Sequence, residues 1–279
     1  MRHVLVTGAA GGIGRAIAAQ FAAQGAVLTL ADRDRAPLDD LAAHLAATAS
    51  ATGVLTADLT AADAPEELVR RAWAARGPVD VLVNAAGVYP SLDMAELTAE
   101  AWDRLFAVNL RAPVLATAAY ARLAAARGEG GTVVNISSGS ALRARPGGGP
   151  YASSKAALEM ATRAAALELG AHGIRVNAVS PGFVPVDSAC NPVSEQYAAA
   201  IGANPLGRPG SPEDIARAVR WIAGPEASWI TGEILRVDGG SGTGALHLPR
   251  IWPPATGPAD APARPATSAP ADATKGHPA

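Results

Sequence analysis

Tyr151 and Lys155 stand four residues apart at the head of an alanine-rich run, 156–169, that reads as a helix. Positions i and i+4 share a helix face, so the spacing predicts the Lys155 ammonium beside the Tyr151 phenol. A phenol ordinarily keeps its proton to about pH 10, and a nearby cation favours the phenolate. A phenol tuned towards neutrality takes a proton from an alcohol or gives one to a carbonyl. An ordinary exposed lysine beside a half-buried tyrosine has the same spacing, so the pair is weak evidence alone. Its surroundings strengthen it. Ser138 lies 13 residues before Tyr151, just after an apolar strand at 132–136. Of the 23 basic residues only Lys155 and Lys275 are lysine, in a chain that otherwise uses arginine.

The elements that would position these groups alternate between strand and helix. A short buried strand, 4–6, runs into Thr7-Gly8-Ala9-Ala10-Gly11-Gly12-Ile13-Gly14 and then a helix to about residue 24. Gly8, Gly12 and Gly14 let such a turn close, let backbone approach a ligand, and let the helix pack on its strand. Around Ile13 the helix start offers free N–H groups and a positive dipole end, which suit a pyrophosphate. A second strand, 26–31, ends at Asp32, 18 residues after Gly14. A carboxylate there accepts hydrogen bonds from an adenosine ribose and repels a 2′-phosphate, which favours NAD over NADP. Arg33 pulls the other way, since an arginine in this neighbourhood can receive that phosphate. Asp32 also suits the N-cap of the next helix, and the two roles are compatible.

Later strands end at Asp58-Leu59, at Asn84-Ala85-Ala86-Gly87, at Ser138 and at Ser180-Pro181-Gly182. Thr98 caps a helix expected to run to about Leu110 with Asn109 inside it. Asn is a poor interior helix residue, so it implies either a polar core contact or a distorted helix. Residues 143–150, with Pro146-Gly147-Gly148-Gly149-Pro150, are expected to be irregular. Residues 183–205, with one short helix at 194–201, read as a lid over a substrate.

This alternation predicts an α/β fold. One domain, 1–241, would form a Rossmann-like doubly wound sheet of seven parallel strands with helices on both faces. Ligands bind outside the carboxyl ends of such strands, where Gly12, Asp32, Asp58, Gly87, Ser138 and Pro181 all fall. Beyond it, 242–279 is a Pro/Ala-rich tail expected to be largely disordered.

Bulk properties narrow the classes. The 279 residues are 49% apolar with a net charge of −2. That supports a large core and argues against nucleic acid or an anionic membrane as partner. The single cysteine, Cys190, rules out an internal disulfide and fits a reducing compartment, hence the cytoplasm. The N-terminus lacks the pattern of a signal peptide, and no run of 18 apolar residues suggests a membrane span. The five histidines are scattered, so no metal site is expected.

Taken together, Thr7-Gly8-x-x-x-Gly12-x-Gly14, Asp58, Asn84-Ala85-Ala86-Gly87, Asn109, Ser138, Tyr151-x-x-x-Lys155 and Pro181-Gly182 resemble the short-chain dehydrogenase/reductase family, in its compact branch, over about 2–241. The resemblance implies a tetrad. Tyr151 would be the acid/base, and Lys155 would lower its pKa and hold the nicotinamide ribose. Ser138 would orient the substrate oxygen, and Asn109 would hold a water in a proton relay. It implies that Asp58 and Leu59 contact adenine, and that Asn84, Ala85, Gly87, Pro181 and Gly182 border the cofactor cleft. It also implies a homotetramer built through helices around 98–126 and 151–170.

One departure concerns Val186, where the family commonly places a Thr that bonds the nicotinamide carboxamide. Valine has no such group, so either backbone at Val184 or the nearby Ser188 would substitute, or the lid would be looser. The expected activity is NAD-dependent interconversion of a secondary alcohol and its ketone. The alternatives are an NADPH-dependent ketoreductase of the 3-oxoacyl-carrier-protein type and, from another class, a non-catalytic NAD-binding sensor. The lid's few charges point to a neutral, medium-sized substrate.

Overall fold

A computed structural model describes residues 2–186, 195–246 and 248–249. Ser188, Cys190 and the middle of the expected lid lie outside the described residues, as does nearly all of the expected tail. The chain divides into a body, Met1–Leu246, and a C-terminal unit, His247–Ala279, in which only 248 and 249 are described.

Short runs of Val, Leu and Ala, too short for helices and bounded by Gly, Asp and Asn, form the strands. They are β1 (His3–Thr7), β2 (Val27–Asp32), β3 (Ala51–Thr56), β4 (Val81–Asn84), β5 (Gly131–Ile136), β6 (Ile174–Pro181) and β7 (Ile234–Val237). All pair in parallel, in the order β3-β2-β1-β4-β5-β6-β7. The helices are α1 (Gly12–Ala22), α2 (Arg35–Leu45), α3 (Ala64–Arg76), α4 (Ala99–Phe106), α5 (Ala112–Arg127), α6 (Gly149–Leu169), α7 (Glu195–Gly202) and α8 (Pro212–Ala223).

Alternation along β1 sends Val4 and Val6 to one face and Leu5 to the other. On the first face, Phe21 of α1, Leu41 of α2 and Val219 of α8 join them in one core. On the second, Leu68 of α3 and Tyr120 of α5 join Leu5 in another. Chain order reverses between β2 and β4 on either side of β1, and a crevice opens at such a switch point.

Three boundaries differ from expectation for identifiable reasons. The helix carrying Asn109 is not regular: a π turn, Ala107–Arg111, links α4 to α5, and the Ala112 N–H reaches back five residues to the Ala107 carbonyl. Gly149 and Pro150 are helical, because proline in the first turn of α6 gives up an N–H that has no helical partner anyway. Asp32 is not the cap of α2; that position falls to Asp34.

Tyr120 joins the second core to the middle of the sheet. It is fully buried, its hydroxyl donates to the Asp80 carbonyl at 3.0 Å and accepts from the Thr132 N–H at 3.0 Å. A Cβ on Gly131 would lie 1.8 Å from that oxygen, so only glycine fits there. Tyr120→Phe keeps the ring but removes a hydroxyl bonded to both the Asp80 carbonyl and the Thr132 N–H, which keep the 3.1 Å bond to each other. We expect a loss of about 1 kcal/mol in denaturant unfolding. An unchanged midpoint would show that the hydroxyl carries no stability.

Candidate active site

The glycine turn after β1 is shaped by contacts that exclude side chains. Gly8 has φ 65°, and a Cβ on it would lie 2.6 Å from the Ala86 backbone. A Cβ on Gly14 would lie 2.1 Å from the Gly8 carbonyl oxygen. The first helical bond of α1 runs from the Arg15 N–H to the Gly11 carbonyl at 2.8 Å. The N–H groups of Gly12, Ile13 and Gly14 therefore precede the hydrogen-bonded ladder and point out of the helix start. Thr7 locks this turn to the next one: its hydroxyl accepts from the N–H groups of Ala85 and Ala86 at 3.2 and 3.3 Å.

At the end of β2, Asp32 is held on both oxygens. One accepts from the Ala10 N–H at 3.0 Å and the other from the Arg33 N–H at 2.7 Å. The Arg33 side chain pairs with Asp34 at 3.2 Å on the surface. Asp58 accepts from the Thr60 N–H at 3.0 Å and hydroxyl at 2.8 Å, and these bonds hold its carboxyl below the usual range. Leu59 packs partly against the second core.

Asn84 and Asn109 are buried and committed to protein partners. The Asn84 amide donates to the Asn135 carbonyl oxygen at 2.9 Å, and Asn135 donates to the Thr162 hydroxyl of α6 at 3.0 Å. Asn109 accepts from the Val88 N–H at 2.8 Å and donates to the Val88 carbonyl at 2.7 Å. It also donates to the Ser154 hydroxyl at 3.2 Å. The asparagine thus sits in the core and on a helix distortion at once, clamping the segment after β4 to α6.

The carboxyl ends of β4, β5 and β6 border a cavity of about 230 Å³. Ile13, Ala85, Gly87, Ser138, Tyr151, Lys155, Pro181, Gly182 and Val184 line it among the residues expected from sequence. Ser138 lines the cavity beside Tyr151, close enough to favour its phenolate, and the Ser138 hydroxyl accepts from the Ser140 N–H at 3.1 Å. Tyr89 stands edge-on to the Tyr151 ring, with centroids 6.2 Å apart. Lys155 lies on the floor, 4% exposed.

The electrostatics differ from the expectation drawn from spacing. The Lys155 ammonium lies 5.9 Å from the centre of the Tyr151 ring and donates to the Ile136 carbonyl at 2.8 Å. It is over the ring rather than beside the hydroxyl. Burial pushes the Tyr151 phenol up; the nearby Ser138 hydroxyl and, more weakly, the charge of Arg145 pull it back. Burial also lowers Lys155 to about 8. A Cβ on Gly87 would sit 3.5 Å from the Asn109 carbonyl oxygen and 3.6 Å from the Lys155 nitrogen, so glycine keeps the approach to both groups open.

The family model described as enoyl-(acyl carrier protein) reductase matches residues 8–242. The galactitol 2-dehydrogenase (L-tagatose-forming) of Cereibacter sphaeroides is 39% identical over 84% of this chain and 92% of its own. The chain belongs to the short-chain dehydrogenase/reductase family.

Other members of the family are similar across the same span. The 3-oxoacyl-[acyl-carrier-protein] reductase of Thermotoga maritima is 33% identical, covering 85% of this chain and 96% of its own. The structure of a blue fluorescent protein from a metagenomic library, in complex with NADPH, superposes with a TM-score of 0.77 at 35% identity. That match covers 86% of this chain and 97% of the other. As a short-chain dehydrogenase/reductase, this protein is an oxidoreductase of CH–OH groups, interconverting secondary alcohols and ketones with a nicotinamide cofactor.

Several residues of this short-chain dehydrogenase/reductase site escape motif reading. Asp238, Ser241 and Gly242 line the cavity from beyond β7. Asp238 accepts from the N–H groups of Gly240 at 2.8 Å and Gly242 at 2.9 Å, which holds that turn. A Cβ on Gly182 would lie 2.7 Å from the Asp238 Cα, so the two loops close on each other. Glu159, on the buried side of α6, accepts from the Ser137 hydroxyl at 2.8 Å and steadies the residue before Ser138. Val186, already singled out from sequence as a departure from the family pattern, lines the cavity too, and a Cβ on Gly12 would lie 2.7 Å from its Cγ1. The signal for Asp238 was the Asp-Gly-Gly turn, which marks a tight bend but no ligand.

Proposed function

We propose that this protein is an NAD-dependent oxidoreductase in which Tyr151 exchanges a proton with the oxygen of a secondary alcohol or its ketone. The observation that carries this is the convergence of Ser138, Tyr151 and the buried Lys155 on one cavity. Ser138 positions the substrate oxygen, Tyr151 gives or takes its proton, and Lys155 supplies a buried positive charge. Asn109 holds the segment around Val88 in place and belongs to the proton relay that the family implies. The residues fit a dinucleotide: free N–H groups at the start of α1 face a turn kept clear by Gly8, Gly12 and Gly14. Those groups would hold the pyrophosphate, with Asp32 at the ribose and Asp58 and Leu59 near the adenine. Ala85, Gly87, Pro181, Gly182 and Val184 would border the nicotinamide, while Asn84 contributes through the turn it opens. When bound, the cofactor accepts or delivers the hydride.

Asp32 supports NAD. Its carboxylate is fixed by two backbone N–H groups at the end of β2, a place that favours hydroxyls over a phosphate. We expect wild-type protein to bind NAD(H) over NADP(H) by at least tenfold or so, and Asp32→Ala to bring the two close together. Calorimetry or fluorescence with all four cofactor forms measures this, followed by an alcohol panel with the preferred one. Tighter binding of NADP(H) by the wild type defeats the assignment. It would favour the NADPH-dependent ketoreductase, a reading supported by the surface position of Arg33 and by the carrier-protein reductase among the relatives.

The reading extends to a cytoplasmic homotetramer. Val114 and Leu115 on α5, with Met160 and Leu167 on α6, are exposed apolar residues on the helices expected at the subunit contacts. Among the described residues no helix is long and apolar enough to cross a membrane.

A further inference from the structure

We infer that Arg145 binds an oxyanion, a carboxylate or phosphate ester, carried by the alcohol substrate, and so selects charged substrates over neutral ones. This deepens the proposed function and rests on it.

Four charged side chains line the cavity: Arg143, Arg145, Lys155 and Asp238. Three have partners. Arg143 donates to the Ser241 carbonyl at 2.8 Å, and Lys155 to that of Ile136 at 2.8 Å. Asp238 is occupied by the N–H groups of Gly240 and Gly242. The guanidinium of Arg145 has no hydrogen-bond or ion-pair acceptor among the described residues, although the side chain is half-buried. A partly desolvated guanidinium gains from a planar oxyanion that takes two of its N–H groups at once.

Its presentation is fixed. The Arg145 carbonyl accepts from the Gly148 N–H at 2.9 Å, and the Gly147 carbonyl accepts from the Leu92 N–H at 2.8 Å. Gly147 has φ 70°, and a Cβ on it would meet the Ser91 hydroxyl at 2.5 Å, so the turn is closed against a neighbouring loop. Arg145 shares its cavity with Tyr89 and Tyr151. Its charge reaches Tyr151, where it favours the phenolate. An anion on Arg145 would anchor one end of a substrate whose hydroxyl meets Ser138 and Tyr151. The neutral substrate suggested by the lid's composition does not account for this residue.

The test compares kcat/KM for matched pairs with the preferred cofactor. Racemic 3-hydroxybutyrate is set against its methyl ester, and glycerol 3-phosphate against glycerol. We expect wild-type enzyme to favour the charged member of at least one pair by roughly tenfold to a hundredfold. The pair that shows the preference identifies the oxyanion. Arg145→Met should bring that ratio close to one, mainly through KM, and Arg145→Lys should keep part of it. Thermal melting of both variants checks that they fold. A loss shared equally by both members of a pair would show that Arg145 acts only through the Tyr151 phenol and would overturn the inference. Activity on neutral alcohols with none on charged ones overturns it as well, leaving the oxidoreductase assignment intact. Failure on every secondary alcohol, charged or neutral, removes both.

Discussion

Tyr151→Phe is expected to lower kcat by about a hundredfold to ten-thousandfold while leaving NAD(H) affinity nearly unchanged. The ring stays, and with it the edge-on packing against Tyr89. What goes is the hydroxyl that lies beside Ser138 in the cavity. Proton transfer then has no acceptor or donor at the substrate oxygen, and the substitution acts on chemistry rather than on binding.

The pH behaviour of the wild type follows from the phenol. Burial raises its pKa above the ordinary 10, and the nearby Ser138 hydroxyl offsets part of that rise. At neutral pH the group carries its proton. Ketone reduction needs the protonated phenol, so its rate is high at neutral pH and declines as pH passes the phenol's pKa. Alcohol oxidation needs the phenolate, so its rate climbs with pH over the same range. The Phe variant should show neither limb. Steady-state rates in both directions across pH measure this, and a variant keeping more than about a tenth of the wild-type rate removes Tyr151 from the mechanism.

Lys155→Met should make the protein more stable and inactive at once. Burial lowers the Lys155 pKa from 10.5 to about 8, which corresponds to about 3 kcal/mol of unfavourable charge burial in the native state. Below pH 8 both folded and unfolded chains hold the proton, and the cost is present in full. Between about 8 and 10.5 the folded chain releases it first, so the unfolded chain binds more protons and stability rises with pH. Above that window the cost is gone. Methionine fills a similar volume without charge and loses the bond to the Ile136 carbonyl, worth about 1.5 kcal/mol for a charged donor, and the contact with the Tyr151 ring. Denaturant unfolding should therefore show the variant ahead by about 1 kcal/mol at pH 7, with the gap closing or reversing near pH 10. A variant no more stable at pH 7, or a gap that does not change with pH, would contradict the charge-burial account. Loss of turnover in this more stable protein would show that the lysine is retained for function, at a cost in stability.

The sheet was legible because parallel strands buried on both faces read as short apolar runs, and their ends carry the small and polar residues that open the crevice. The glycine turn and the Ser138, Tyr151 and Lys155 cluster follow from motif order along the chain. The rest depended on geometry that spacing does not encode. An i,i+4 pair shares a face, but the long lysine stem let the ammonium pass under the Tyr151 ring to the Ile136 carbonyl. Asn109 marked the helix as either distorted or carrying a polar core contact, and the structure shows both, but the alanine-rich pattern could not locate the π turn. Proline at Pro150 reads as a breaker until the helix start is known. The sequence puts Arg143 and Arg145 near the substrate pocket, which both line, but in a turn set by Gly147 and Gly148 no periodicity says how a side chain is paired.

The order of strands has a consequence for how the molecule is made. As the chain leaves the ribosome, β2 finds β1 already present, β3 finds β2, and β4 finds the free side of β1. Strands β5, β6 and β7 then add one beside another. No strand has to insert between two that are already paired, so the sheet can grow during synthesis without undoing earlier work. Until β7 arrives, the edge of β6 is open, and nascent protein at that stage is vulnerable to sticking to its neighbours. Asp238, Ser241 and Gly242 emerge later still, and they complete the cavity wall. A chain cut short before them would keep its sheet but lack that wall of the cavity, so a finished pocket comes later in translation than a finished sheet.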